Sequence, residues 1–440
     1  MASRLTPEEI RARAVRLTGE DSDYDALLDL ARDREFVLLG ESSHGSHEFY
    51  AMRAAISRRL LDEAGFDAVA VEGDWPDVHR LDRYVLGQGQ DTLATAFDDF
   101  QRFPGWMWRN TVFRDFIAWL RQRNERVGED AAAGVYGMDL YSLYRSAEAV
   151  VGYLSARDPE QAEFARKLYE GLDHVQDAQE YGYEAALGLR PDCRDEAADL
   201  LRELLRKAPV YEARGGRGAR EAQFYAERNA QVVLNAERYY RGMFAGRSNT
   251  WNLRDTHMVD TLQALQAQLR RDGRAGKVLV WAHNSHLGDA RATAMAERGE
   301  CNVGQLLRQR LGPAACLLVG FSTHTGHVTA ARAWDGPAER RWIRPSRADS
   351  WENRLHRSGL DRFFLPLQGL ADASGERLLE RAIGVLYLPE SERASHYFPA
   401  DLPAQFDVLF HVDETEALEP IEPDSPWHAR EAPETWPSGL

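Results

Sequence analysis

Short apolar runs typical of buried strands recur along the chain, and five of them end on acidic or histidine residues. Three runs are followed by His-x-x-His pairs: FVLLG (36–40) by Glu41, His44 and His47, VLVW (278–281) by His283 and His286, and CLLVGF (316–321) by His324 and His327. Two more end on a carboxylate: AVAV (68–71) on Glu72 and VYGM (135–138) on Asp139. Because ligands of open α/β sheets bind outside the carboxyl ends of the strands, this pattern predicts an active site at one sheet edge.

The hydrophobic spacing also predicts the elements between these runs. Apolar residues at helical intervals (Phe49, Met52, Ile56 and Leu60) predict a helix after the first strand, and a second strand follows at 67–71. That strand–helix–strand length suits a right-handed parallel crossover. Further strands are predicted near 134–138, 277–281, 316–321, 382–388 and 406–411, with a hairpin at 328–334. Residues 76–130 are mostly helical in pattern, interrupted by the aromatic loop FPGWMW at 103–108.

From about 145 to 245 the pattern is helical throughout, with no run of strand character. We therefore predict an α/β protein with a mainly parallel central sheet flanked by helices, and a helical insertion or cap over the carboxyl ends of the strands. The predicted parts are 1–144 (first part of the α/β core), 145–250 (helical insertion or cap), 251–417 (second part of the core) and 418–440 (an acidic, proline-rich tail).

Composition narrows the classes of function. The chain has 440 residues and a net charge of −16, which argues against broad nucleic-acid binding, since that requires a basic face. No apolar stretch approaches the roughly 20 residues of a spanning helix, and the charged N-terminus lacks the apolar centre of a signal peptide. The three cysteines are scattered and odd in number, as expected for reduced thiols. We expect a cytoplasmic protein that binds neither membrane nor nucleic acid; its oligomeric state is left open.

Several motifs resemble those of the erythromycin esterase family. They are GESSHGSHEFY (40–50), GFDAVAVEGDWPD (65–77), WNLRDTHM (251–258), WAHNSHLGD (281–289) and SHYF (395–398), in that order along the chain. The closest likeness is to the broad branch of bacterial homologues and not to the resistance enzymes themselves. The resemblance implies a hydrolase that opens a lactone ester with water, without a covalent serine intermediate. It also implies an α/β core with a helical cap forming a cleft.

The reaction requires a general base, a group that orients it, and donors for the developing oxyanion. His44 can be the base, with Glu41 or Glu72 holding its ring. His283 and His286 can stabilise the oxyanion or steer the leaving oxygen. The resemblance places the family's essential histidine on His44, its acid on Glu72 and its later histidine pair on His283 and His286.

A second set of residues is predicted to bind the substrate: His47, Arg254, Trp75, Trp106 and Asp139. Each also has a purely structural interpretation. Arg254 can instead form a buried salt bridge, and Glu72 can pair with Arg80 or Arg83. The tryptophans suit an apolar cleft wall but equally a hydrophobic core. His324 and His327 flank a Thr-Gly sequence that suggests a hairpin-like turn, and are expected at the rim of the site.

Three alternatives remain. Ser42 and Ser43 lie beside His44, but the Gly-x-Ser-x-Gly elbow of serine hydrolases is absent. The histidine pairs with Glu41 and Glu72 could bind zinc, iron or nickel, although His-x-x-His in a loop imposes no geometry. The cleft could also serve a binding protein associated with exopolysaccharide biosynthesis. We predict an enzyme acting on a small-molecule ester or lactone, without a cofactor or metal ion.

Overall fold

The structure is a computed structural model that describes residues 5–170, 178–187, 194–213, 216–244, 250–370 and 376–422. The chain forms two compact units. Unit 1 comprises Met1–Val69, Tyr84–Gly134 and Lys277–Leu440, and unit 2 comprises Ala70–Arg83 and Val135–Gly276. The boundaries predicted from sequence, at 145, 251 and 418, stay a prediction.

The strands are β1 Val15–Arg16, β2 Phe36–Leu39, β3 Ala68–Asp74, β4 Gly134–Asp139, β5 Val278–Trp281, β6 Cys316–Ala330, β7 Glu339–Ile343, β8 Arg362–Pro366, β9 Leu378–Arg381, β10 Tyr397–Ala400 and β11 Val408–Thr415. The α-helices are α1 Pro7–Arg13, α2 Asp25–Ala31, α3 His47–Glu63, α4 Trp75–Val85, α5 Thr111–Val127, α6 Leu143–Ser155, α7 Pro159–Glu170, α8 Ala178–Ala186, α9 Arg194–Glu212, α10 Gly216–Phe244, α11 Thr250–Arg271, α12 Asn284–Leu287, α13 Val303–Leu311, α14 Trp351–His356, α15 Glu392–Ser395 and α16 Leu402–Gln405. Short 3₁₀ segments lie at Asp21–Tyr24, Thr95–Phe97, Gly105–Met107, Glu129–Ala131, Ala290–Ala292, Ala296–Arg298, Pro313–Ala315 and Pro389–Ser391.

The main sheet of unit 1 has the strand order β1-β8-β11-β6-β2-β5. Its central strands β5, β2, β6 and β11 are parallel, whereas β8, β1 and β7 add antiparallel pairs at the periphery. This confirms the predicted α/β class with a parallel central sheet and flanking helices. Leu39 lies opposite both Trp281 and Val319. The carboxyl ends of β2, β5 and β6 therefore meet at one edge, where the first two histidine motifs begin.

One strand and one turn predicted from the sequence were wrong. Residues 382–388 form isolated bridges and no regular strand: Ile383 pairs with Ser43 in the turn after β2, and Leu386 pairs with Ala331 just after β6. The Thr-Gly turn expected between His324 and His327 is instead the interior of β6, a 15-residue strand. Pairing with both β11 and β7 keeps β6 extended there. Gly326 is needed for this pairing, since a Cβ at position 326 would lie 2.1 Å from the carbonyl oxygen of Thr415.

Unit 2 is dominated by helices. β3 and β4, which lie mostly in this unit, are neighbouring strands, and helices α6 to α11 follow. Apolar residues of α6, α9 and α10 at helical spacing form its buried core, among them Val150, Leu204 and Val233. Within the described residues of 143–271 there is no strand, as the helical pattern predicted. The placement of these helices over the strand ends stays a prediction. None of the described helices is long and apolar enough to cross a membrane.

The small sheet of β9 and β10 contains a buried acid whose charge opposes folding. Glu380 is 2% exposed, and hydrogen bonds from the side chains of Gln405 and Asn284 only partly offset the cost of burying its charge. Burial, and secondarily the nearby Glu352, raise the pKa of Glu380 to about 8. Because the pKa of Glu380 is higher in the folded state than its ordinary value of 4.5, the protonated acid contributes fully to folding stability below pH 4.5. This contribution is lost as the pH rises towards 8.

We therefore expect Glu380→Gln to flatten the loss of stability between pH 5 and pH 8. The wild-type protein should lose about 1.4 kcal/mol per pH unit from this group in that window. Urea unfolding of both proteins at pH 5 and pH 8 measures the difference, with Glu390→Gln, a substitution of an exposed acid, as the control. Equal pH dependence in the Glu380 variant and the wild type would contradict the assignment.

Candidate active site

The turn after β2 is buried although most of its side chains are polar. Glu41 and Ser43 are 0% exposed and His44 is 7% exposed. The amide of His44 donates to the carbonyl oxygen of Ile383 (3.2 Å), and the carbonyl oxygen of Gly45 accepts from the amides of Thr329 (2.9 Å) and Leu418 (2.8 Å). Since three distant segments bind its backbone, the turn is held rigidly.

Gly45 is the residue that permits this packing. A Cβ at position 45 would lie 1.9 Å from the carbonyl oxygen of Thr329, a backbone atom that cannot rotate away. Only glycine allows the turn to approach β6 so closely. The backbone of the preceding His44 is thereby held in place.

His44 is bonded to a carboxylate that also binds an arginine. Its Nδ1 lies 2.9 Å from Oε1 of Glu41, and Nη2 of Arg53 donates to Oε2 of Glu41 at 2.6 Å. An ionised carboxylate only accepts hydrogen bonds, so Nδ1 of His44 donates to it. In the neutral ring, the lone pair is then on Nε2. This arrangement, an imidazole acceptor oriented by a buried carboxylate, is that of a general base.

Arg53 was not predicted from sequence. It is 0% exposed, lies in α3, and its guanidinium packs over the rings of Tyr50 (4.2 Å) and Trp281 (5.0 Å). One signal could have revealed it: position 53 lies four residues after Phe49 and three before Ile56, on the predicted apolar face of the helix. An arginine on such a face needs a buried anion, and Glu41 supplies it.

The turn after β5 places a second imidazole beside the first. His283 precedes α12, and its ring centroid lies 4.9 Å from that of His44, with an angle of 55° between the planes. The amide of Asn284 donates to the carbonyl oxygen of Glu41 at 2.8 Å, so the two turns are joined directly. His286, in α12, is 3% exposed. The structure thus brings together Glu41, His44 and His283, which the sequence singled out from distant motifs; we name them, with Arg53, the histidine cluster.

In unit 2, three further predicted residues form a buried ion-pair network. Arg254 of α11 donates from Nη2 to Oε1 of Glu72 (2.8 Å) and from Nε and Nη2 to the two oxygens of Asp139 (2.9 and 2.6 Å). Burial by itself would lower the pKa of Arg254, but Asp139, Tyr141 and Glu72 more than offset this and raise it. Arg254 is therefore a permanent cation, and the buried salt bridge considered from sequence is present.

Arg254 is thus one partner of Glu72. The pairing of Glu72 with Arg80 or Arg83 that the sequence suggested stays a prediction. The proposed contact of Glu72 with His44, and the substrate-binding roles of Arg254 and Asp139, stay predictions.

The other predicted substrate-binding residues occupy different surroundings. His47 is the first residue of α3 and is exposed. Trp75 is buried in unit 2 and stacks with Tyr136, with ring centroids 6.0 Å apart. Trp106 is buried in the short segment Gly105–Met107 of unit 1. Their roles towards a substrate stay predictions.

The third histidine motif enters a different cluster. His324 stacks on His356, with ring centroids 3.7 Å apart, and its Nδ1 lies 2.6 Å from Oγ of Ser346. His356 in turn binds Asp413 through Nδ1 at 2.8 Å. Among the residues that the structure describes, no group of three or more His, Cys, Asp or Glu side chains could hold a metal ion.

Comparison with known proteins defines the family. A family model described as "Erythromycin esterase" matches residues 61–415, the greater part of the chain. The chain belongs to the erythromycin esterase family. This agrees with the resemblance of the sequence motifs. One relative in the family, erythromycin esterase type II of Escherichia coli, is 23% identical over 339 residues, covering 72% of this chain and 76% of the relative. Membership supports a hydrolase of the esterase type.

Solved structures share the fold. A structure described as a succinoglycan biosynthesis protein superposes with a TM-score of 0.73 at 20% identity, covering 94% of this chain and 98% of that one. A mutant of the erythromycin esterase EreC in its open conformation gives a TM-score of 0.68 at 17% identity, covering 93% and 99%. At these identities the likeness concerns the fold alone, which is that of the erythromycin esterase family.

Proposed function

We propose that this protein hydrolyses a carboxylic ester, in particular a lactone, by attack of water that His44 activates. The observation that carries the proposal is the hydrogen bond between Nδ1 of His44 and Oε1 of Glu41 at 2.9 Å, with Glu41 held by Arg53. These contacts orient the ring and make Nε2 the proton acceptor. Family membership supports the reaction class.

In the proposed reaction, the water oxygen attacks the carbonyl carbon while one of its protons moves to Nε2 of His44. The carbonyl oxygen becomes an oxyanion, for which His283 is the adjacent imidazole donor. The tetrahedral intermediate then collapses, and the bond from the carbonyl carbon to the ester oxygen breaks. His44 returns the proton to the departing alkoxide. A lactone is converted to a hydroxy acid, with a mass gain of one water.

A covalent serine intermediate has little support in this turn. The hydroxyls of Ser43 and Ser46, which flank His44, are hydrogen-bonded to each other. A nucleophilic serine has to be bonded to the base that activates it. We therefore assign the nucleophile to water.

The names of two similar proteins indicate the first compound to test. Erythromycin, named in the relatives' descriptions, is one macrocyclic lactone to test. We propose a small-molecule ester or lactone as the substrate, with smaller lactones and aryl esters as equally informative probes.

The test is turnover by the purified protein, with mass spectrometry detecting the gain of one water. Erythromycin, a series of simple lactones and a series of aryl esters are each incubated with and without a chelator. We expect chelator-insensitive turnover of at least one compound, without burst kinetics and without trapping of an acyl group by hydroxylamine. Turnover only with an added divalent cation would overturn activation by His44 alone, and a burst would overturn direct water attack. Failure to hydrolyse any compound of the three classes would overturn the ester hydrolase assignment.

A further inference from the structure

The hydrogen bonds of His283 determine which of its nitrogens carries the proton. Nδ1 of His283 accepts from the backbone amide of Ser285 at 3.2 Å, and Oγ of Ser285 lies 2.8 Å from the same nitrogen. A backbone N–H only donates, so Nδ1 must present its lone pair. In the neutral ring the proton is therefore on Nε2, and the Ser285 hydroxyl is a second donor to Nδ1.

The neighbouring ring has the opposite arrangement. Nδ1 of His44 donates to Glu41, so its Nε2 holds a lone pair. His44 and His283, 4.9 Å apart by their ring centroids, thus form a pair in which one Nε2 accepts a proton and the other donates one. Attack of water on a carbonyl requires both functions, since a proton leaves the water while charge develops on the carbonyl oxygen.

We infer that Ser285 is a positioning residue for this reaction: its hydroxyl, the closer of the two donors to Nδ1, adds to the amide contact in holding His283 in the Nε2–H tautomer, the form that can donate to the oxyanion. The inference rests on the proposed hydrolase function. The role assigned to Ser285 acts through His283, whose Nδ1 its hydroxyl contacts.

The backbone around Ser285 does not depend on this hydroxyl. The carbonyl oxygen of Ser285 accepts from Nδ2 of Asn302 at 2.8 Å. The side chain of Asn284 donates to the carbonyl oxygen of Phe321 at 2.8 Å, and its amide binds the turn of Glu41. Ser285 is itself partly exposed, so its substitution leaves no deep cavity. A change to alanine therefore removes the Oγ contact while the turn remains in place.

The activity test compares Ser285→Ala with Ser285→Thr, which retains a hydroxyl at the same carbon. For whichever ester or lactone is turned over, we expect alanine to lower kcat about two- to tenfold with little change in KM, the range of one neutral hydrogen bond. Threonine should restore most of kcat. Ser346→Ala is the matched control, because it removes a serine–imidazole bond from His324 instead. A loss of kcat in the threonine variant equal to that in alanine would overturn the role of the hydroxyl.

The second measurement needs no substrate. NMR of protein labelled with ¹⁵N-histidine reports the tautomer of each ring from its two nitrogen shifts. We expect His283 as the Nε2–H form in the wild type, and a smaller fraction of this form in Ser285→Ala, because only the longer amide contact of 3.2 Å then favours it. An Nδ1–H form in the wild type, or an unchanged His283 spectrum in the alanine variant, would overturn the inference. Because this readout is independent of turnover, failure of the positioning role is distinguishable from failure of the hydrolase assignment.

Discussion

Replacing His44 with asparagine is expected to lower kcat/KM for ester or lactone hydrolysis by about 10²- to 10⁴-fold, the usual contribution of a general base. Asparagine keeps a hydrogen-bonding side chain that can still donate to Glu41, but it has no nitrogen that accepts a proton near neutral pH. The fold should be preserved, because the turn is held by backbone contacts to Ile383, Thr329 and Leu418. Steady-state kinetics, with circular dichroism to verify folding, measure the effect.

A matched control is available in the same unit. Nδ1 of His356 binds Asp413 at 2.8 Å, so this residue is also a histidine held by a carboxylate, yet it belongs to the cluster of His324. His356→Asn should retain hydrolysis within about threefold, as expected for a group outside the chemistry. A His44→Asn enzyme as active as the His356→Asn control would show that another group activates the water.

Replacing Arg53 with methionine is expected to destabilise the protein by about 3–5 kcal/mol, the usual result of removing one partner of a buried ion pair. Arg53 and Glu41 are each 0% exposed, and their contact is 2.6 Å. The substitution leaves a buried carboxylate with no guanidinium beside it. Hydrolysis should also fall, because Glu41 would no longer be held against His44. Urea unfolding at neutral pH measures the stability, and kinetics of the folded fraction measure the activity.

A double variant distinguishes the charge from the packing. In Glu41→Gln/Arg53→Met both charges are removed, so stability should recover relative to Arg53→Met, although activity should not. Arg123→Met is the matched control, since Arg123 is also buried but its partner Asp62 is 44% exposed and remains hydrated. If Arg53→Met were as stable as Arg123→Met, the Glu41 charge would have to be compensated by another group.

The main strands and the first two histidine motifs were predictable because their signals are local. A continuous apolar run as short as FVLLG favours a buried strand over a helix by its length, and the polar residues that follow at once then lie at the end of that strand. Adjacency of β2, β5 and β6 then brings Glu41, His44 and His283 together. The apolar runs and the polar residues that follow them were therefore enough to predict that these side chains lie at one edge of the sheet.

Other features depend on contacts that no local pattern shows. Residues 382–388 have the apolar character of a strand. However, Ile383 pairs with the turn of Ser42 to His44, so the segment forms an isolated bridge there instead of a strand. Arg254, which binds Glu72, lies in α11, 182 residues further along the chain, and no local pattern connects the two positions. The position of Arg53 on the apolar face of α3 is visible in the sequence, but its partner Glu41 is identified only by the contact in the structure.

The discontinuity of unit 1 has a consequence for synthesis of the chain. The first strand of the parallel core, β2, finds its sheet neighbours only in β5 and β6, and the turn that carries His44 is closed by the amide of Leu418. Unit 2 is translated almost entirely in between. At roughly 5–20 residues per second, the nascent FVLLG segment emerges from the ribosome tens of seconds before its partners. For that time an apolar strand of the parallel core lacks the neighbours that bury it, which makes it the segment of the nascent chain most exposed to aggregation.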